Sequence, residues 1–310
     1  MRILLAGATG FVGEKLLSEL VKAGHQVTAI AHSDAGSAEL RKQWPELRII
    51  RADVGATPST AELTEAAQGQ EAIIYLPGLL REFPSKGITF QKVHVDGVRN
   101  LLAIAKESGV QRWLQMSALG TTAEATTGYY KTKWQGEQLV QNSGLDWTIF
   151  RPSVIFGSEP TKRITFAGEL AHAIKVAPFL PIFGNGKYRM QPVSRDVVCG
   201  AIVKSLAQPE TIGKIYELGG PEKLTYIEIM RGIAQAMGKP KPAVYIPFWP
   251  VEMMAALFDR YKFFPLTRDQ LVMLKNENIV KDPAREREFE TTFHPSQPTF
   301  AEGLRGYFAT

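Results

Sequence analysis

Along the first half of the chain, short apolar blocks alternate with stretches whose apolar residues recur at helical spacing. Arg2–Ala6 is one such block, and across Phe11–Ala23 the residues Val12, Leu16, Leu17, Leu20 and Val21 fall on one helix face. Gly24 ends that helix and Val27–Ala31 reads as the next strand. The same reading predicts strands at Leu47–Ile50, Ala72–Leu76, Arg112–Ser117 and Trp147–Arg151, with helices near Ser59–Gln68, Ile88–Ser108 and Gly128–Asn142. Strand and helix alternate, so a parallel sheet covered by helices on both faces is expected. This main domain is assigned to residues 1–155.

After Pro152 the alternation loses its regularity. Proline, glycine and aromatic residues crowd Pro178–Gly186, and helical spacing returns at Asp196–Ala207, Tyr226–Met237 and Val251–Tyr261. A short strand is predicted at Ile215–Leu218, the segment Pro283–Pro298 reads as a polar, proline-marked tail, and a last helix is expected near Ala301–Phe308. Residues 156–310 therefore read as a smaller mixed lobe for substrate or docking, some of whose segments return to the main domain.

The 310 residues carry a formal charge of +5, but the basic residues are scattered and none form a run beside aromatics, which argues against a nucleic-acid groove. The single cysteine, Cys199, excludes an intrachain disulfide and reads as a buried thiol within an apolar run. Five dispersed histidines suggest no metal site. Met1 leads almost directly into the first strand, which predicts no signal peptide, and no apolar run reaches the length of a membrane span. A cytoplasmic location, or the stromal or matrix side of an organelle, is expected, with peripheral membrane contact left open.

Gly7-Ala8-Thr9-Gly10-Phe11-Val12-Gly13 lies between the first strand and the first helix. There Gly7 permits a tight turn, Gly10 lets phosphates approach the backbone, and Gly13 lets the helix pack closely, leaving its N-terminus for a pyrophosphate. These features define a Rossmann-type doubly wound α/β domain, with Thr9, Phe11 and Val12 completing the loop. At the end of the second strand, where an acid would bind the ribose hydroxyls of NAD, the chain reads Ala31-His32-Ser33. The cofactor is thus NAD(P), leaning to NADP, with His32, Ser33 or Arg41 available to a 2′-phosphate. Asp53, followed by Val54, either accepts a bond from the adenine amino group or shapes a turn.

Tyr129 and Lys133 stand four residues apart at the head of a predicted helix, and Ser117 ends the preceding strand at the carboxyl edge of the sheet. A lysine ammonium beside a phenol favours the phenolate, and a serine hydroxyl can orient a carbonyl oxygen. Together with the glycine loop, Met116-Ser117-Ala118-Leu119-Gly120 and Arg151-Pro152-Ser153-Val154-Ile155-Phe156-Gly157, this pattern resembles the short-chain dehydrogenase/reductase superfamily. More narrowly it is similar to the atypical extended branch, which includes NmrA-like proteins and relatives of the NDUFA-nine-type subunit of respiratory complex I. Later segments through Gly184-Asn185-Gly186, Leu218-Gly219-Gly220-Pro221 and Pro265-Leu266-Thr267 extend the resemblance over most of the chain.

The resemblance implies a seven-stranded sheet with a C-terminal lobe and bound NAD(P). It makes Tyr129 the acid/base, Lys133 the group on the nicotinamide ribose, Ser117 the substrate-orienting hydroxyl, Asp53 the adenine contact, and Pro152 a neighbour of the nicotinamide. Two features depart from it: His94 stands where extended members usually carry an asparagine, and Ser117 precedes Tyr129 by only twelve residues. Hydride transfer on a small, apolar carbonyl or alcohol is one expected activity. A noncatalytic role, as assembly factor or accessory subunit of a membrane redox complex or as a redox sensor, is the other. Leu119, Phe166, Phe183, Tyr188 and Arg189, with Phe179, Met190 and His172, are candidates for a substrate wall or for lobe core. Trp249, Met253, Met254, Leu257 and Phe258 recur at helical spacing, suited to covering that wall or to docking on a membrane complex.

Overall fold

The computed structural model of the chain describes residues 1–56, 61–157, 165–258 and 267–308. The predicted helical positions 59–60 and 259–261, the side chain of Phe258, and Pro265 and Leu266 lie outside the described residues. The chain divides into two compact units, residues 1–151 with 198–216, and residues 152–197 with 217–310.

The first unit runs β1 (Arg2–Ala6), α1 (Phe11–Lys22), β2 (Gln26–Ala31), α2 (Asp34–Gln43), β3 (Arg48–Arg51), α3 (Ala61–Ala67), β4 (Ala72–Tyr75), α4 (Gly97–Glu107), β5 (Arg112–Met116), α5 (Gly128–Gln141) and β6 (Asp146–Pro152). These six strands pair in parallel in the order β3-β2-β1-β4-β5-β6. Their central members read as continuous apolar runs because helices cover both faces; Ile3, Leu4, Leu5, Ile73 and Ile74 are all fully buried. The strand order reverses between β1 and β4, which opens a crevice at their carboxyl ends, and Gly7 follows β1 directly there.

The chain continues through β7 (Ile155–Phe156), α6 (Phe166–Val176), β8 (Leu180–Phe183), β9 (Arg189–Met190), β10 (Val193–Ser194), α7 (Arg195–Ser205) and β11 (Lys214–Leu218). Strand β11 lies beside β6 and completes the seven-stranded sheet. Arg112 ties this return to β5. Its Nη1 donates to the Asp146 carbonyl at 2.8 Å, and its Nη2 lies within 2.9 Å of Thr148 Oγ1, the Ser205 carbonyl and Thr211 Oγ1. Burial pushes this guanidinium down to about 10, against the pull of Asp146. Cys199 is buried, as expected, with its thiol 3.7 Å from the Val12 carbonyl.

The last elements are β12 (Leu224–Thr225), α8 (Tyr226–Ala236), β13 (Ala243–Ile246), α9 (Phe248–Phe258), α10 (Arg268–Lys275), α11 (Pro283–Phe293) and α12 (Phe300–Phe308). The core of the second unit gathers Phe156, Tyr188, Met190, Tyr226, Ile229, Met230 and Phe300. The crowded segment Pro178–Gly186 holds β8, which pairs in parallel with β13. Four of the described helices, α2, α6, α10 and α11, are absent from the elements expected on periodicity. Helix α2 buries only Ser37 and Leu40, too little to print a face on the sequence. Helix α11 forms in the segment read as a polar tail because Asp282 caps it through the Ala284 N–H, Pro283 occupies its first position, and Phe289 and Phe293 supply one buried stripe.

Candidate dinucleotide site

The glycine loop has the backbone geometry a pyrophosphate cradle needs. Gly7 adopts φ +87°, a left-handed conformation open to glycine, and its carbonyl accepts the Gly10 N–H at 2.9 Å. A Cβ on Gly13 would stand 2.0 Å from the Gly7 carbonyl oxygen, so only glycine lets α1 start this close to the loop. Gly10 is the N-cap of α1, and no side chain caps the helix there. That leaves the positive end of a twelve-residue helix available to an anion. Phe11 and Val12 are half-buried, and Thr9 reaches the start of α2, where a Cβ on Gly36 would lie 3.0 Å from its Cγ2.

At the carboxyl end of β2, Ser33 caps α2 by accepting the Gly36 N–H at 3.2 Å, and His32 is exposed. Arg41 sits in the last turn of α2, away from this point. The cation that reaches it is Arg51, which ends β3 opposite Ala31 and whose Nε lies 2.9 Å from Asp34 Oδ1. The sequence signal for Arg51 was its position at the end of the neighbouring strand, visible only once the register of β2 and β3 is known. Asp53 accepts the Gly55 N–H at 3.0 Å on Oδ1 and meets Lys92 at 2.6 Å on Oδ2, so its carboxylate shapes the turn after β3. The Val54 carbonyl accepts from Asn100 at 2.9 Å.

Ser117, Tyr129 and Lys133 are all buried at the carboxyl edge of β5 and the head of α5. Thr121 gives its proton to the Ala118 carbonyl at 2.8 Å, so the Ser117 hydroxyl donates to Thr121 Oγ1 at 3.3 Å. Lys133 Nζ donates to the Met116 carbonyl at 3.2 Å; burial pushes its ammonium down to about 8, with Glu137 acting the other way. The Tyr129 ring packs edge-on against Phe90, His94 and Tyr130, and burial, then Tyr130, pushes its phenol above the ordinary tyrosine value. Leu119 is buried and Pro152 ends β6.

His94 completes this cluster from a π-helical turn, Gln91–Asp96, that runs into α4; such turns often mark functional positions. Its Nε2 accepts the Leu79 N–H at 3.2 Å, which leaves Nδ1 to carry the ring proton toward Thr132 Oγ1 at 2.9 Å. Thr132 in turn donates to the Gly128 carbonyl at 2.8 Å. The imidazole is therefore neutral, and burial followed by Lys133 lowers its pKa to about 2. The pinned residue Leu79 follows Gly78, whose Cβ position lies 3.6 Å from Lys133 Nζ. A neutral His94 accepting an N–H positions this loop, and it cannot take up a second proton without losing the bond.

This histidine sets a pH dependence. The unfolded chain takes up the proton below about pH 6.5 and the folded chain refuses it until far lower, so stability is full above 6.5 and declines on acidification. Down to pH 5 the loss from His94 alone is about 2 kcal/mol. Urea titrations at pH 7 and pH 5 are expected to show that extra loss in the wild type and not in His94→Asn; equal slopes would sink the assignment.

In the second unit, Tyr188 is buried and stacks on Tyr226 at 5.2 Å, with its hydroxyl 3.3 Å from the Phe183 carbonyl. Phe166 and Phe183 are half-buried against the same core, and Arg189 is paired with Glu277 at 2.6 Å. Phe179 is half-buried, Met190 is core and His172 is exposed.

The sheet order, the glycine loop and the uncapped α1 define an NAD(P)-binding protein with the extended short-chain Rossmann fold. The chain belongs to the NAD(P)H-binding family, whose profile matches residues 7–178. It is 29% identical over 290 residues to subunit 9 of the NADH dehydrogenase [ubiquinone] 1 alpha subcomplex of Arabidopsis thaliana, covering 90% of this chain and 70% of that one. It is 26% identical over 311 residues to the ceramide reductase of Caulobacter vibrioides, covering 99% of this chain and 90% of the reductase. The fold matches that of UDP-glucuronic acid 4-epimerase from Bacillus cereus in complex with NAD, with a TM-score of 0.73 at 18% identity, over 99% of this chain and 96% of the epimerase.

Proposed function

We infer that this chain holds NAD(P) as a structural or sensing nucleotide in a membrane-associated redox assembly, on the cytosolic side or the matrix side of an organelle, without turning over a substrate. The observation that carries this reading is the wiring of the buried cluster. Lys133 donates to the Met116 carbonyl, His94 is neutral with its Nε2 on the Leu79 N–H, and burial raises the Tyr129 phenol, an arrangement that favours holding a nucleotide over moving a proton through His94. The likeness to a subunit of NADH dehydrogenase supports the same reading. When bound, the dinucleotide would lie along Gly7, Gly10 and Gly13, and its nicotinamide would supply hydride exchange.

A second reading has one observation in its favour: Ser117, Tyr129 and Lys133 are all present, and the ceramide reductase of Caulobacter vibrioides aligns with nearly the whole chain. In it Tyr129 would exchange a proton with a small, apolar carbonyl or alcohol while Ser117 orients its oxygen. Phe166, Phe183, Tyr188 and Arg189 are the proposed substrate wall in that reading.

Calorimetric titration with NADPH, NADH and their oxidised forms, on wild type and Tyr129→Phe, separates the two. The first reading expects equal binding by both proteins and no loss of reduced-nicotinamide absorbance with long-chain ketones. Turnover abolished in Tyr129→Phe would favour the second. NADP is the proposed form, since Arg51 ends β3 opposite Ala31, where it pairs with Asp34, and positions 32 and 33 after β2 hold His32 and Ser33 and no acid. Arg51→Ala is expected to weaken NADPH binding about tenfold more than NADH binding, the scale of one charge-assisted bond; equal losses would return the preference to NAD.

A further inference from the structure

Helix α9 presents apolar side chains in two directions. Phe248, Val251 and Ala255 turn inward, packing with Leu271 of α10. Trp249, Met253 and Leu257, at i, i+4 and i+8, point to solvent and are 67%, 55% and 66% exposed, with Met254 beside them at 42%. The single charged residue of the helix, Glu252, is paired with Lys275. A helix that is apolar all round belongs in an apolar setting, and an exposed apolar row of this kind marks a contact surface. Strand β13 leads into α9 and exposes Val244 and Tyr245 as well.

The chemistry at the head of the helix says what covers this face. A cleft of about 420 Å³ opens at Phe248, lined by Gly184, Asn185, Lys187, Tyr188, Phe248 and Lys275. Lys187 is exposed, and the Lys275 ammonium stands 4.8 Å from the centre of the Phe248 ring. The exposed Lys187 ammonium, the Asn185 side chain and Lys275, whose charge Glu252 already meets, thus line a cleft of mixed polarity at one end of an apolar row that begins with a tryptophan. Tryptophan favours the boundary between headgroups and acyl chains, and lysine at that level meets lipid phosphate.

We propose that α9 is a bilayer-docking element: Trp249, Met253 and Leu257 enter the interfacial layer of a membrane while the exposed Lys187 at the adjoining cleft meets an anionic phospholipid headgroup. A helix of eleven residues, about 16 Å long, lies in that layer and does not cross it. The proposal extends the membrane-side reading above, yet it rests on residues apart from the nucleotide loop, so the two can fail separately.

The test is sedimentation of the full chain with phosphatidylcholine vesicles, with and without phosphatidylglycerol. The wild type is expected to pellet only with the anionic vesicles. Trp249→Ser combined with Met253→Ser and Leu257→Ser should lower the partition coefficient about tenfold or more, and Lys187→Gln by roughly fivefold. NADPH titration of each variant should match the wild type. The lysine variant leaves the outward apolar row intact and keeps the test decisive if the triple variant folds poorly. Absence of pelleting, equal pelleting with neutral vesicles, or variants that pellet like the wild type would overturn the proposal. So would a wild-type dimer converted to monomer by the triple variant, since a second copy would then cover the face. Loss of vesicle binding with retained nucleotide binding would leave the nucleotide reading standing.

Discussion

Gly13→Ala is expected to weaken dinucleotide binding sharply and to destabilise the first unit. The added methyl would lie 2.0 Å from the Gly7 carbonyl oxygen and 2.8 Å from its carbon, both backbone atoms with no rotamer to escape into. Relief requires α1 to move away from the loop, which separates its N-terminus from the turn that Gly7 makes at φ +87°. Overpacking against backbone costs about 3 kcal/mol. The displaced helix end should weaken NADPH affinity by roughly a hundredfold, the loss of two or more phosphate contacts. Urea denaturation reads the first effect and calorimetric titration the second. A variant that binds like the wild type would show that the pyrophosphate lies elsewhere.

The second large effect is expected at Glu137→Ala. Glu137 is fully buried on α5 and receives Arg151 in a two-pronged pair, Nε to Oε1 at 2.9 Å and Nη2 to Oε2 at 2.6 Å. Truncation leaves a guanidinium almost enclosed by protein without its counter-charge, at a cost of about 3 to 5 kcal/mol. Replacing both partners by apolar residues, Glu137→Leu with Arg151→Met, should recover more than half of that loss, because no charge is then left stranded. The single change also removes the group that holds the Lys133 ammonium up, so Lys133 becomes easier to deprotonate. A cost below about 1 kcal/mol for Glu137→Ala would mean that Arg151 finds solvent or another acceptor.

The parallel sheet and the nucleotide loop were legible because two independent signals agree there. Strands buried on both faces print continuous apolar runs, and Gly7, Gly10 and Gly13 are demanded by sterics at one turn. Helices α2 and α11 were not legible, since each buries only two side chains and depends on a cap, Ser33 or Asp282, that looks like any loop residue. The residue types of the Ser117, Tyr129 and Lys133 cluster could be read from spacing; its wiring could not. That Lys133 turns to the Met116 carbonyl, and that His94 is tied to an amide fifteen residues upstream, depends on how the loop after β4 folds over α5. The partnership of Arg51 with Asp34 likewise needed the strand register.

The return of residues 198–216 to the first unit bears on how the protein is made. A nascent chain that has emerged as far as Arg151 already holds the nucleotide loop and six strands. It lacks β11, which flanks β6, and it lacks the Ser205 and Thr211 oxygens that receive the Arg112 guanidinium. Until those residues leave the ribosome, one margin of the sheet stays unpaired and a buried cation waits for half its acceptors. Synthesis of 152–218 therefore imposes a delay of roughly 3 to 13 seconds at ordinary elongation rates, about 5 to 20 residues per second. During that interval the incomplete sheet is the species most open to misassociation, and a chaperone has its briefest and most useful moment to act.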